Sequence, residues 1–191
     1  MSKQFILASA SSRRIEMLQE QGYDFDIKPS FSEEVLNKTL SIEKAIEQLA
    51  YQKARYVFKE NENQVVLGAD TLVVCDNQVL GKPMDYDDAK NTLRFLSNKT
   101  HKVITGLCVI SDKEVVFDHE ITEITFYELT DEQIELYLTF DEAYDKAGAY
   151  AIQGLAGQFV KTVSGDYDNV VGLPLAKTKQ LLEKQGILLA K

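Results

Sequence analysis

Short alternating apolar runs and longer stretches with helical spacing follow one another along the whole chain. Gln4 to Ala8 predicts a short buried strand. A polar turn, Ser9 to Ser12, leads into a helix over Arg13 to Gln21 with Ile15 and Leu18 on one face, stopped by Gly22. Tyr23, Phe25 and Ile27 alternate with charged residues, the period of a half-buried strand. After a polar loop from Pro29 to Leu40, Ser41 is a candidate N-cap for a helix to about Glu60. Its inner face carries Ile42, Ala45, Ile46, Leu49, Ala50 and Ala54.

The second half continues in the same way. Val65 to Val74 predicts an apolar strand, interrupted by Gly68 and Asp70-Thr71, with a turn at Asp76-Asn77 into Val79-Leu80. A helix runs from Asp85 to about Leu96. Lys102 to Ser111 and Glu114 to Tyr127 predict two long paired strands joined at Asp112-Lys113. Thr130 to Gln133 matches a capping box. A Gly-rich loop spans Gly148 to Gly157, a strand covers Gln158 to Val163, and Pro174 opens a last helix. Helices and strands in this order, with a long antiparallel pair, imply a mixed α/β or α+β fold around one curved sheet. No repeat or linker divides the chain, so residues 1–191 are expected to form a single domain.

Composition narrows the function classes. With 45% hydrophobic and 27% charged residues, the chain is neither a disordered nor a membrane protein. The apolar stretch Phe5 to Ala8 is too short for a signal-peptide core or a membrane span, so the cytoplasm is the expected location. Cys75 and Cys108 lie in apolar runs and read as small core residues. A net charge of −9 argues against nucleic acid as the main partner, yet a local cluster of cations in a cleft can still hold a small anion.

Five segments carry candidate chemistry. Ser9-Ala10-Ser11-Ser12-Arg13-Arg14 joins a strand to a helix. It reads either as a helix cap followed by surface arginines or as a phosphate site of hydroxyls, guanidinium groups and helix N–H donors. Asp70 in Gly68-Ala69-Asp70-Thr71 is a carboxylate inside an apolar strand, which calls for a metal, a cationic partner or a catalytic role unless it stands at a turn. Glu33-Glu34 are loop acids that also suit a hard divalent cation. Lys53 on the long helix and Lys82 in Gly81-Lys82-Pro83 are solvated lysines or phosphate contacts; the latter is no P-loop, since Pro83 stands where Ser or Thr is required. Gln153, in the Gly-rich segment from Asp145 to Gly154, can read a base edge with a donor and an acceptor. His101 and His119 have no motif around them and are expected to be structural or exposed.

Taken together, Ile6 to Arg14, Gly68-Ala69-Asp70-Thr71, Gly81-Lys82-Pro83, Asp145 to Tyr150 with Ile152-Gln153-Gly154, and Gly172-Leu173-Pro174 resemble the Maf family, in order and over nearly the whole chain. The resemblance implies a nucleoside triphosphate pyrophosphatase with an elongated mixed sheet and a cleft between two lobes, similar in fold to inosine triphosphate pyrophosphatases. It carries phosphate binding onto Ser9, Arg13, Arg14, Lys53 and Lys82. Asp70 takes the role of proton acceptor, and Asp70 with Glu34 and Glu33 holds a divalent cation, Mg²⁺ or Mn²⁺. Specificity falls on Arg13, Thr71 and Gln153. Arg-Arg, Asp-Thr and Gln-Gly in the three motifs resemble the dTTP/UTP branch. The alternatives are a pyrophosphatase for modified purine nucleotides such as 7-methyl-GTP and a nucleotide-binding regulator of cell division without turnover. The expected partner is the nucleotide itself, with no nucleic acid or membrane, and the resemblance implies a homodimer. Ser12 stands where the family commonly has Pro, and Ser at a helix start is equally acceptable.

Overall fold

The computed structural model describes residues 4–189. Seven strands are β1 (Phe5–Leu7), β2 (Phe25–Ile27), β3 (Val66–Cys75), β4 (Gln78–Leu80), β5 (Thr100–Ile110), β6 (Val115–Phe126) and β7 (Val160–Ser164). Six helices are α1 (Ser12–Glu20), α2 (Ile42–Phe58), α3 (Tyr86–Leu96), α4 (Asp131–Leu138), α5 (Tyr167–Val171) and α6 (Leu175–Lys184). The strands form a mixed sheet in the order β2-β1-β3-β5-β6-β7, with β4 paired to β3. β1 lies parallel to both β2 and β3, with Ile6 opposite Val66 and Leu7 opposite Leu67. β4 and β7 run antiparallel to β3 and β6. The mixed α/β architecture expected from the sequence is therefore present.

Local chemistry explains most boundaries. Ser41 caps α2 by accepting from the Lys44 amide, Asp85 caps α3 through the Asp88 amide, and Thr130 and Gln133 complete the capping box of α4. Asp76 and Asn77 both adopt left-handed φ, 49° and 62°, as a two-residue hairpin between β3 and β4 requires. Three expectations shift. Pro174 is the N-cap of α6 rather than its first helical residue. Ile27 is exposed because β2 is a three-residue edge strand, whereas Tyr23 and Phe25 are buried against Phe5. The Gly-rich segment forms two 3₁₀ turns, Ala147–Ala149 and Leu155–Phe159, and the second takes Gln158 and Phe159 from the expected strand, which begins at Val160. The five-residue α5 has no sequence signal, being too short for a helical period. Its central residue, Asn169, is buried, and its Nδ2 donates to the Val103 carbonyl and to Thr122 Oγ1, both at 3.0 Å.

The chain divides into two compact units. The first holds the residues up to Asp70, Thr105–Glu120, and those from Gly172 onward. Its core sets Ile6, Val66, Cys108 and Ile110 of the strands, with Ala8 just past β1, against Ala50, Ala54, Val57 and Phe58 of α2. The second holds Thr71–Ile104 and Ile121–Val171. Its centre is a chain of edge-to-face rings, His101, Phe126, Tyr150, Phe159 and Tyr137. Both cysteines are buried and unbridged, and burial pushes both thiols up, as small core residues behave. Among the described residues no helix is long and apolar enough to cross a membrane.

Candidate active site

Small residues bring a helix down onto a strand in the first unit. A Cβ on Gly68 would lie 2.4 Å from the Ala50 carbonyl oxygen and 2.8 Å from Ala54 Cβ. A Cβ on Gly106 of β5 would lie 2.4 Å from the Ile46 carbonyl oxygen. Glycine on the strands and alanine on α2 therefore let two backbones approach where any side chain would hold them apart. Lys53 lies between Ala50 and Ala54 in the chain, and Asp70 lies two residues after Gly68. The close packing lets Lys53 Nζ reach Asp70 Oδ1 at 2.7 Å. Both side chains are mostly buried, and the pairing answers the cost of a carboxylate in an apolar strand.

The turn after β1 stands against the same strand. Ala8 N donates to the Leu67 carbonyl at 2.8 Å, continuing the β1–β3 ladder to the edge of the polar segment. The buried Ser9 hydroxyl then accepts from the Ser11 amide at 3.2 Å. Arg14, one turn into α1, is buried as well. Its Nε donates to the Gly172 carbonyl at 2.9 Å, and its Nη1 donates to the Ala69 carbonyl at 2.8 Å and to Ser9 Oγ at 3.4 Å. Burial lowers the Arg14 pKa and nearby Asp70 opposes that shift; a guanidinium stays charged regardless. Arg14 thus ties the peptide just before Asp70 to the turn before α6. Arg13 is only half-buried on the same helix. Ser11 is the N-cap but makes no side-chain cap, unlike Ser41 on α2.

The two loop acids separate. Glu34 Oε1 lies 2.9 Å from Lys53 Nζ, so one ammonium bridges Asp70 and Glu34. Glu33 is exposed on the same loop. Among the described residues no three His, Cys, Asp or Glu gather as a ready metal cage. Two carboxylates converging on one cation nonetheless fit Mg²⁺ or Mn²⁺, hard ions that are commonly held by one or two carboxylates with phosphate oxygens completing the shell.

The remaining sequence candidates belong to the second unit. Thr71 lies within β3, directly after Asp70, and is half-buried, while Lys82 and Gln153 are exposed on loops. The loop of Lys82 is anchored by Gly148, whose amide donates to the Gly81 carbonyl at 3.1 Å. Gly148 adopts a φ of 73°, which strains any side chain, and a Cβ there would lie 3.1 Å from both Val73 methyl carbons. His101 is buried and shares a 2.7 Å hydrogen bond between Nε2 and the Tyr150 hydroxyl. Burial lowers its pKa to about 4, so at neutral pH it is an uncharged core residue. His119, half-exposed, pairs with the buried Glu47 at 2.8 Å in the first unit. Both histidines fall outside the candidate chemistry, as expected.

A family profile described as Maf-like protein matches residues 4–185. The chain belongs to the Maf family. It is 45% identical over 185 residues to a protein of Bacillus cereus (strain G9842) named dTTP/UTP pyrophosphatase, covering 97% of each chain. A protein of Bacillus pumilus with the same name is 46% identical, with 96% of this chain and 97% of that one covered. Another, from Ruminiclostridium cellulolyticum, is 45% identical over 95% and 96%. The structure of the Staphylococcus aureus Ham1 protein is similar at a TM-score of 0.55 and 13% identity, covering 96% of this chain and 100% of that one. That likeness shows the fold alone. Within this Maf protein, sequence reasoning missed the backbone acceptors of Arg14 and the bonds of Glu142 to the Leu155 and Ala156 amides. No local pattern marks either, because each contact joins residues distant in the chain.

Proposed function

We propose that this Maf protein is a nucleoside triphosphate pyrophosphatase that acts on dTTP and UTP, releasing the nucleoside monophosphate and pyrophosphate. The observation that carries the reading is Asp70, a carboxylate held by close backbone packing and faced by Lys53, in a chain that matches proteins named dTTP/UTP pyrophosphatase over their full length. Asp70 orients the attacking water and accepts its proton as the bond between the α- and β-phosphates breaks. Ser9, Arg13, Lys53 and Lys82 bind the triphosphate. The N–H groups at the start of α1, left without a side-chain cap, favour phosphate through hydrogen bonds and the helix dipole. Arg14 contributes to the same clamp chiefly by holding the Ala69–Asp70 peptide. Asp70 and Glu34, with the adjacent Glu33, would hold Mg²⁺ or Mn²⁺. The bound ion would neutralise developing charge and lower the pKa of water. Lys53 then exchanges its carboxylate partners for phosphate. Thr71 and Gln153 read the base. The protein works in the cytoplasm on free nucleotides, in keeping with a net charge of −9 that repels nucleic acid.

The test is pyrophosphate release from dTTP, UTP, dATP, GTP and 7-methyl-GTP, with EDTA and after adding back Mg²⁺ or Mn²⁺. The expected result is metal-dependent turnover with the highest kcat/KM for dTTP and UTP. Binding without turnover would favour a regulator. A preference for a purine triphosphate would overturn the base assignment, and full activity in excess chelator would overturn the metal.

A further inference from the structure

Gln153 stands at the corner of a turn closed by the Gly154 amide donating to the Ala151 carbonyl at 3.1 Å. A second turn follows at once, with the Gly157 amide donating to the Gly154 carbonyl at 3.0 Å. The junction between the two, at Gly154-Leu155, is held by a side chain from elsewhere in the second unit. Glu142 Oε2 accepts from the Leu155 amide at 3.0 Å, and Oε1 accepts from the Ala156 amide at 3.5 Å. The Tyr137 hydroxyl donates to Oε1 at 3.2 Å.

Leu155 begins a 3₁₀ turn whose N-cap, Gly154, has no side chain to satisfy the free amides. The Glu142 carboxylate takes the place of that missing cap, and an anion accepting from successive amides makes stronger bonds than a neutral oxygen. Its seat is tight: a Cβ on Gly154 would lie 2.2 Å from each carboxylate oxygen. Gly154 has a φ of −100°, which any residue adopts, so its lack of a side chain serves the carboxylate rather than the backbone. Burial and the neighbouring carboxylate push the Tyr137 phenol up, keeping it a donor. Ile152, Ala156 and Phe159 of the same loop are buried. The carboxylate bonds of Glu142 fall on the amides that directly follow Gln153-Gly154.

We propose that Glu142 is a positioning residue for base selection: by gripping the backbone just after Gln153 it sets where the Gln153 amide stands. The proposal rests on the reading of Gln153 as a base-reading residue. Loss of the carboxylate frees the junction to shift, and a displaced amide loses its preference among base edges while the phosphate-binding and proton-accepting groups are untouched.

The test compares kcat/KM for UTP and GTP in the wild type and in Glu142→Gln, Glu142→Ala, Gly154→Ala, the Glu142→Ala/Gly154→Ala double variant, and Gln153→Ala, with thermal unfolding of each. Glu142→Ala is expected to reduce the UTP-over-GTP ratio by about tenfold, the scale of a lost hydrogen bond to a charged group. Glu142→Gln keeps the shape and one acceptor oxygen and should retain most of the ratio. Gly154→Ala, by displacing the carboxylate, should reproduce Glu142→Ala, and the double variant should add nothing further, the mark of two changes acting through one contact. An unchanged ratio in Glu142→Ala, beside a collapsed one in Gln153→Ala, overturns the proposal. So does an equal fall in turnover for both nucleotides, which marks a purely structural role. An unchanged ratio in Gln153→Ala removes the reading of Gln153 itself, and the proposal falls with it.

Discussion

Around Asp70 the polar side chains stand on a strand and a helix packed too closely to admit a Cβ, whereas around Gln153 the backbone is an irregular loop tethered by one carboxylate. Each arrangement suits the role proposed for its region. A proton acceptor needs its atoms held to within a fraction of an ångström, and regular elements supply that precision better than loops. A base-reading amide needs a defined position on a segment whose neighbours can vary, which a tethered loop supplies. The first region resists change through its backbone and the second through a single side-chain contact, so they should respond differently to substitution.

Asp70→Asn is expected to have the largest effect. It removes the proposed proton acceptor and should lower kcat by about a hundredfold or more, the scale of a lost general base. A folded variant with near-normal turnover would exclude Asp70 from that role.

Arg14→Lys comes next. It should destabilise the fold by about 3 kcal/mol, since the buried carbonyls of Ala69 and Gly172 lose their charged donors. Arg13→Lys should leave stability near wild type and raise KM for dTTP, because lysine cannot reproduce a bidentate grip on phosphate. Denaturant midpoints and steady-state kinetics on the pair decide the matter; the opposite pattern would exchange the two roles.

Gly68→Ala tests the close packing directly. A methyl group driven against the Ala50 carbonyl should cost roughly 2 kcal/mol and should lower activity by moving Asp70 relative to Lys53. Stability within a few tenths of a kcal/mol of wild type would mean that α2 gives way easily, and that the first region is no more rigid than the second.

The smallest effect concerns the core of the second unit. His101 binds a proton near pH 6.5 in the unfolded chain but only near 4 when folded, because burial disfavours its charged form. Between those values the unfolded state holds more protons, so stability falls as the pH drops through the window. The loss should reach about 2 kcal/mol by pH 5. His101→Phe should flatten that part of the profile relative to wild type in urea titrations at stepped pH. An identical slope in the two proteins would show that His101 takes up its proton without unfolding.

Much of this was legible in the sequence because it depends on neighbours in the chain. Ser41, Asp85 and Thr130 cap helices within three residues of themselves, and Asp76-Asn77 form their hairpin from their own tolerance of left-handed φ. Family motifs contain Asp70 and the Gly-rich loop, and the resemblance also implies Lys53. Periodicity could not reveal α5, whose five residues make little more than one turn beside the bonds of Asn169. Nor could it separate Glu34 from Glu33, since adjacent loop acids look alike until one of them meets Lys53. Arg13 and Arg14 likewise read as one pair. Successive helical residues point about 100° apart, and this alone sends one guanidinium into the fold toward Ala69 and Gly172. Glu142 is the plainest case: its partners lie thirteen and fourteen residues away across an irregular loop. The sequence by itself determined the elements, their caps and the residue types available for chemistry, because those follow from local sterics and hydrogen bonding. Only the tertiary structure decided which carboxylate meets which cation, and which arginine faces inward, because those depend on where distant backbones can touch.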